Sequence, residues 1–175
     1  IFFKKSPRNI SLNEAKKLTF FSKNLNIEPV GVFVNEKIEN ISKTITNLEI
    51  NYIQLHGDED SQYVNLIKKN FNIKIIKKIA IKNKEDFDKI KNYKNVDYFL
   101  FDYKPNINEL PGGNSKQFDW SLLDDLKTDK PWFLSGGINA YNINYIKKNI
   151  NPDGIDLSSG VEDSPGIKNK HMVNK

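Results

Sequence analysis

Short apolar runs alternate with stretches of helical periodicity along the whole chain. The apolar runs predict seven strands, at 1–3, 30–34, 52–55, 73–81, 98–101, 132–134 and 154–157. Between them, apolar residues recur every three or four positions, which predicts helices at 11–25, 38–48, 63–67, 87–90, 118–126 and 143–150. Ser11 and Glu14 form a capping-box pattern at the start of the first helix. We expect that helix to bury one face, formed by Leu12, Ala15, Leu18, Phe21 and Leu25.

Strands that alternate with helices predict right-handed crossovers and a parallel sheet. A closed (β/α)8 barrel needs eight such units and typically about 250 residues, whereas this chain has 175. We therefore expect one α/β domain over residues 1–175, an incomplete (β/α)8 TIM barrel with about seven of eight strands, truncated at both ends. A doubly wound open sheet would fit the length, but its glycine-rich loop is expected after the first strand.

The glycine-rich turns lie instead near the C-terminus, after the last two predicted strands. Gly136 and Gly137 follow one strand, and Ser159 and Gly160 follow the next. Glycine lets the backbone approach a ligand closely and direct several N–H groups at one anion. Two such turns on neighbouring strands predict a phosphate site of the kind found after strands seven and eight of a barrel. The alternative is a pair of tight turns without a ligand.

Composition narrows the possible partners. The net charge is +5, but the lysines are scattered along the helices, which is typical of a solvated surface and does not predict nucleic-acid binding. No apolar run is long enough to span a bilayer, so we expect no membrane partner. Cysteine is absent, which excludes disulfides and thiolate metal sites and fits a reducing, cytoplasmic location.

Six motifs occur in a fixed order along the chain. They are Gly31-Val32-Phe33-Val34-Asn35, Gln54-Leu55-His56-Gly57-Asp58-Glu59, Phe101-Asp102, Gly112-Gly113 leading to Phe118-Asp119-Trp120, Leu134-Ser135-Gly136-Gly137-Ile138-Asn139, and Asp156-Leu157-Ser158-Ser159-Gly160-Val161-Glu162. In this order they resemble the phosphoribosylanthranilate isomerase family of tryptophan biosynthesis. The resemblance covers essentially the whole chain. It implies a (β/α)8 barrel, an isomerase without cofactor or metal, and an Amadori rearrangement of N-(5′-phosphoribosyl)anthranilate to 1-(2-carboxyphenylamino)-1-deoxyribulose 5-phosphate.

The reaction needs a general acid to open the ribofuranose ring and a general base to remove the C2′ proton. Asp102 ends a predicted barrel strand whose apolar approach favours a raised carboxyl pKa. The resemblance makes Asp102 the general acid; from the sequence position alone a solvated turn or helix-cap aspartate is equally possible. The resemblance also implies a cysteine as general base, in a segment before Ile1. We therefore expect the 175-residue chain to be inactive by itself. Because an incomplete barrel leaves unpaired strand edges and part of its apolar outer face uncovered, we also expect the chain to be poorly stable and prone to self-association.

The resemblance assigns three further residues to the substrate. Arg8 binds the anthranilate carboxylate, His56 lines the pocket, and Asp156 orients polar groups of the substrate. The expected partner is a small phosphorylated molecule, and the expected state is a monomer or homodimer. His171 has no such context and is expected at the surface.

Two other functions are compatible with part of the pattern. A non-catalytic phosphosugar-binding module would keep the glycine turns but would not need Asp102. Another phosphate-binding barrel, such as an indole-glycerol-phosphate synthase, would carry catalytic Lys and Glu residues at strand ends, and these are not found in matching context.

Overall fold

The structure, a computed structural model, describes residues 1–113 and 115–174. Six strands lie in chain order in one sheet, and neighbouring strands run parallel. They are β1 (Val30–Phe33), β2 (Tyr52–Leu55), β3 (Lys74–Ile81), β4 (Tyr98–Tyr103), β5 (Trp132–Leu134) and β6 (Gly154–Ile155). A separate antiparallel hairpin pairs β7 (Glu162–Ser164) with β8 (Ile167–Lys168).

Helical segments connect the strands. The α-helices are α1 (Leu12–Asn24), α2 (Ile38–Leu48), α3 (Ser61–Asn70), α4 (Ile143–Tyr145) and α5 (Lys170–Val173), and a π-helical turn (Ile146–Ile150) continues α4. Three 3₁₀ segments span Lys84–Asn92, Trp120–Leu123 and Ser159–Val161. The predicted alternation of strand and helix is therefore confirmed.

The chain divides into two compact units. The first unit comprises residues 1–77 and 93–97, and contains β1, β2 and the first half of β3. The second begins at Lys78, excludes 93–97, and contains the end of β3 with β4 to β6.

Within the first unit, α1 begins as predicted. The Ser11 hydroxyl accepts a hydrogen bond from the N–H of Glu14, whose carboxylate accepts one from the N–H of Ser11, so the capping box is complete. The expected buried face is wrong for most of its members, because only Ala15 of this helix is buried. Leu18, Phe21 and Leu25 are 59%, 68% and 65% exposed. Helical periodicity places side chains on one face but does not supply an element to cover it.

Four other elements differ from the prediction. The segment 1–3 is no strand and makes one isolated parallel bridge, from Phe2 to Phe33, so the sheet has six strands rather than seven. The strand expected at 154–157 ends at Ile155. The helix expected at 118–126 is a single 3₁₀ turn, started by the carboxylate of Asp119, which accepts from the N–H of Ser121. The β7–β8 hairpin was not predicted.

In the second unit, the two faces of β4 have different surroundings. Phe101 is fully buried and packs edge-on against Phe87 of the 3₁₀ segment Lys84–Asn92, with ring centroids 5.4 Å apart. Because side chains alternate along a strand, Asp102 projects from the opposite face. The apolar packing of Phe101 therefore fixes the direction in which the candidate acid points.

Candidate active site

Three polar side chains form a row across the carboxyl ends of β4, β5 and β6. Phe101 pairs with Leu134, which in turn pairs with Ile155. Asp102, Ser135 and Asp156 each lie one residue further on and so stand side by side on the same face. The Ser135 hydroxyl is 3.3 Å from Oδ2 of Asp156 and is also a hydrogen-bond partner of Asp102. Parallel strands thus bring together two carboxyl groups that are 54 positions apart in the sequence.

Asp102 is held in a largely dry environment. Its side chain is 5% exposed, and Oδ1 accepts a hydrogen bond from the N–H of Tyr103 at 2.8 Å. Burial raises the pKa of Asp102 from 3.8 to about 6, and the charge of Asp156 pushes it in the same direction. The Lys78 ammonium and the hydrogen bonds from Tyr103 and Ser135 act against this rise. The carboxyl therefore titrates near neutral pH and can both donate and hold a proton, as predicted from its apolar approach.

A pocket opens above this row, and the two glycine turns line it. Its walls are formed by Asp102, Tyr103, Gly112, Gly113, Ser115, Lys116, Ser135, Gly136, Gly137, Ile138, Asp156, Ser158, Ser159 and Gly160. The structure thus brings the four predicted phosphate-site residues together with Asp102 and Asp156. Asn114, which follows the Gly112-Gly113 motif, lies outside the described residues.

Glycine is required at two of these positions for different reasons. Gly137 has a φ of +66°, in the left-handed region, and a Cβ there would approach the backbone of Lys116 and Gln117 to 3.3 Å. Gly160 is needed for space, because a Cβ would lie 1.9 Å from the carbonyl oxygen of Ile138. Both turns therefore present bare backbone to the pocket.

Lys116 brings positive charge to the pocket wall. Its ammonium lies 5.6 Å from the ring centroid of Tyr103 and forms an ion pair with Glu109. Lys116, Tyr103, Ser135 and Ser158 were not among the predicted site residues. Ser135 and Ser158 could have been found, because each directly follows a predicted strand; nothing in the local sequence marks Tyr103 or Lys116.

Arg8 and His56 belong to the first unit. Arg8 is half-buried in the turn before α1, and its N–H donates to the Ser6 hydroxyl at 3.1 Å. His56 is 8% exposed, and its Nδ1 lies 2.8 Å from Nε2 of Gln54. The imidazole is thus oriented by a neighbour on its own strand end rather than exposed in a loop. His171 is exposed, as predicted.

No group of three or more His, Asp or Glu side chains within residues 1–113 and 115–174 is arranged to hold a metal ion. In the same part of the chain, every helix is too short or too polar to cross a bilayer.

A parallel α/β sheet with an acid at its carboxyl edge and glycine turns after its last strands is typical of (β/α)8-barrel enzymes. Residues 1–175 match the family model described as N-(5'phosphoribosyl)anthranilate (PRA) isomerase. The chain therefore belongs to the N-(5'-phosphoribosyl)anthranilate isomerase family, and its fold is an incomplete (β/α)8 barrel. The isomerase reaction assigned to it is the conversion of N-(5'-phosphoribosyl)anthranilate in tryptophan biosynthesis. That the 175-residue chain is inactive by itself stays a prediction.

Individual relatives agree with this assignment. The N-(5'-phosphoribosyl)anthranilate isomerase of Trichodesmium erythraeum is 39% identical over 98% of this chain and 81% of its own length. The isomerase of Sinorhizobium fredii is 38% identical over 99% of this chain and 78% of its own length. A crystal structure of monomers generated from the dimeric Thermotoga maritima enzyme matches with a TM-score of 0.80 and 32% identity, over 98% of this chain and 80% of that one. An isomerase in complex with reduced 1-(o-carboxyphenylamino)-1-deoxyribulose 5-phosphate matches with a TM-score of 0.78 and 30% identity, with the same coverage of both chains.

Proposed function

We propose that Asp102 is the general acid of the isomerase reaction. Its carboxyl donates a proton to the ring oxygen of the ribofuranose, the C1′–O bond breaks, and an iminium forms between C1′ and the anthranilate nitrogen. Removal of the C2′ proton then gives an enolamine, which becomes the aminoketose. The observation that carries this assignment is the burial of Asp102 at the pocket floor, with a pKa of about 6. The sequence contains no cysteine, so none of its 175 residues is assigned the role of the base.

The glycine turns are proposed to hold the substrate phosphate. Gly136, Gly137, Ser159 and Gly160 line the pocket that contains Asp102, and Lys116 adds a cation to its wall. Backbone N–H groups in such turns favour anions. We propose that the sugar phosphate of the substrate binds at these turns and that Asp156 faces the polar groups of the sugar.

Arg8 and His56 remain predictions as ligands of the same substrate. The guanidinium of Arg8 suits a carboxylate, and the Gln54 amide fixes the ring plane of His56. The monomeric or homodimeric state and the cytoplasmic location also remain predictions.

The assignment of the acid is tested by Asp102→Asn in the active isomerase. Asn fills the same space but cannot donate the proton, so kcat should fall by roughly 10²–10⁴-fold. The dissociation constant of the reduced product analogue should stay within a few-fold of wild type. Asp124→Asn, at an exposed position outside the pocket, is the matched control. An unchanged kcat in the Asp102 variant would remove this residue from the mechanism.

A further inference from the structure

Lys78 is a buried lysine beside the pocket that the proposed reaction does not use. It is 6% exposed, and its ammonium donates to the carbonyl oxygen of Pro111 at 3.1 Å. Pro111 directly precedes Gly112 and Gly113, which line the pocket. Burying an ammonium group is costly unless other groups compensate the charge. The position of this lysine therefore calls for a compensating partner near the site.

The strand register places Lys78 on the face that carries Asp102. The N–H of Lys104 donates to the carbonyl oxygen of Ile81 at 3.0 Å. In a parallel ladder this bond sets Ala80 opposite Asp102. Because side chains alternate along a strand, Lys78, two residues before Ala80, lies on the same face. Lys78 and Asp102 therefore lie on the same face of two neighbouring strands, and the charge of the ammonium acts on the carboxyl.

The charges around Asp102 are opposed. Lys78 is the largest influence that lowers the pKa of the carboxyl against the effect of burial, whereas Asp156 raises it. Tyr103 and Lys116 are the other titratable side chains on the wall of the same pocket. A general acid that has given up its proton becomes a buried carboxylate, and an ammonium on the same face stabilises that state.

We propose that Lys78 is a positioning residue of this isomerase, one that anchors the Pro111 end of the pocket loop and compensates the charge that Asp102 acquires on proton donation. The proposal rests on the assignment of Asp102 as the acid. Lys78 then has two separable effects, one on the charge of Asp102 and one on the loop at Pro111.

Three substitutions of Lys78 separate the two effects. Lys78→Arg keeps the charge and the donor, Lys78→Gln keeps a donor without the charge, and Lys78→Met removes both. Lys82→Met is the matched control, since Lys82 follows the same strand and is exposed. Thermal unfolding identifies any variant that fails to fold. If Lys78→Met fails to fold, Lys78→Gln still tests the effect of the charge.

The charge is tested by the pH dependence of kcat/KM in the active isomerase. The alkaline limb of that profile reports loss of the acid's proton. Without the ammonium, the carboxyl holds its proton to higher pH. We expect the limb to move up by about one pH unit or more in the Gln and Met variants. It should stay in place in the Arg variant and in Lys82→Met. A limb that is unmoved or moved downward in both neutral variants would overturn the proposal.

The loop is tested by hydrogen exchange at the amides of Gly112 and Gly113. Exchange should be faster in Lys78→Met and near wild type in Lys78→Gln and Lys78→Arg. Equal rates in the wild type and all three Lys78 variants would refute the anchoring role. If the wild type did not isomerise, the assigned activity would fail. A carboxyl ¹³C titration of Asp102 without substrate would still decide whether Lys78 controls its charge.

Discussion

Asp102 combines burial with hydrogen bonds that suit its charged form. The apolar surroundings favour the protonated carboxyl, while the N–H of Tyr103, the hydroxyl of Ser135 and the Lys78 ammonium favour the carboxylate. The balance leaves the pKa at about 6. An acid poised in this way can release its proton to substrate without becoming too weak to recover it.

The raised pKa of Asp102 makes the stability of the protein depend on pH. The folded carboxyl, with a pKa of about 6 against an ordinary 3.8, binds its proton more tightly than the unfolded one. The free energy of unfolding contributed by Asp102 is therefore largest below pH 4 and is lost as pH rises through 6. Asn does not titrate, so Asp102→Asn should gain about 3 kcal/mol relative to wild type across this window.

Urea unfolding of both proteins at about pH 4 and about pH 7 measures this difference. Asp124→Asn changes an exposed carboxyl, so its effect on the free energy of unfolding should differ little between the two pH values. A stability difference between the Asp102 variant and wild type that is the same at both pH values would contradict the raised pKa.

Gly137 gives a second prediction about a single residue. A β-branched side chain is strained at a φ of +66° and would press on the backbone at Gln117. Gly137→Val should therefore weaken the binding of inorganic phosphate at least tenfold, measured by calorimetry or amide chemical shifts. Ala140→Val adds the same side chain at an exposed position outside the pocket and should leave binding unchanged. Equal affinities in the two variants would remove the turn from the phosphate site.

A buried ion pair joins the first three strands at their carboxyl ends. The Lys77 ammonium on β3 contacts Glu59 at 2.7 Å and the carbonyl oxygen of Gly57 at 2.7 Å. Glu59 also accepts from the N–H groups of Asn35 and Gly57, which follow β1 and β2. Burial lowers the pKa of Lys77, and Glu59 opposes that effect. The pair thus holds the loop that follows His56.

Breaking this pair should be costly for the free energy of unfolding. Lys77→Met leaves Glu59, whose side chain is 1% exposed, as an uncompensated buried charge. We expect a loss of about 3–5 kcal/mol in urea unfolding. Lys23→Met removes a lysine from the exposed pair with Glu49 and should cost at most about 1 kcal/mol. Similar losses in the two variants would mean that the buried pair contributes no more to the free energy of unfolding than the exposed pair.

Large apolar side chains are exposed on α1 and just after its end. They are Leu18, Phe20, Phe21, Leu25 and Ile27, each 57–68% exposed. Exposed large apolar side chains promote association. The 175-residue chain should therefore self-associate at micromolar to millimolar concentration.

Sedimentation velocity tests this expectation. The double variant Leu18→Glu and Phe21→Lys should shift the distribution toward monomer. Tyr141→Lys, at a position that is 98% exposed and away from α1, should leave it unchanged. A wild-type chain that is monomeric at all concentrations would contradict the prediction.

Local patterns of the sequence were enough to predict most elements and the burial of Asp102. Apolar runs and helical periodicity depend on nearest neighbours, so β1 to β5 and α1 to α3 were found close to their bounds. The raised pKa of Asp102 was predicted because an apolar strand ends on it, whereas its role as the acid rests on the family resemblance. The glycine turns at Gly137 and Gly160 were found because few other residues fit such backbone.

Tertiary structure decided what covers each surface and which distant groups meet. Phe21 has the periodicity of a buried residue, yet it is exposed, because burial depends on a neighbouring element rather than on the pattern. Lys77 and Lys78 look like surface lysines in sequence. Strand pairing buries them on opposite faces of β3, one beside Glu59 and the other near Asp102. The electrostatics of the site arise from these long-range pairings, since a charge and its partner need only be close in space.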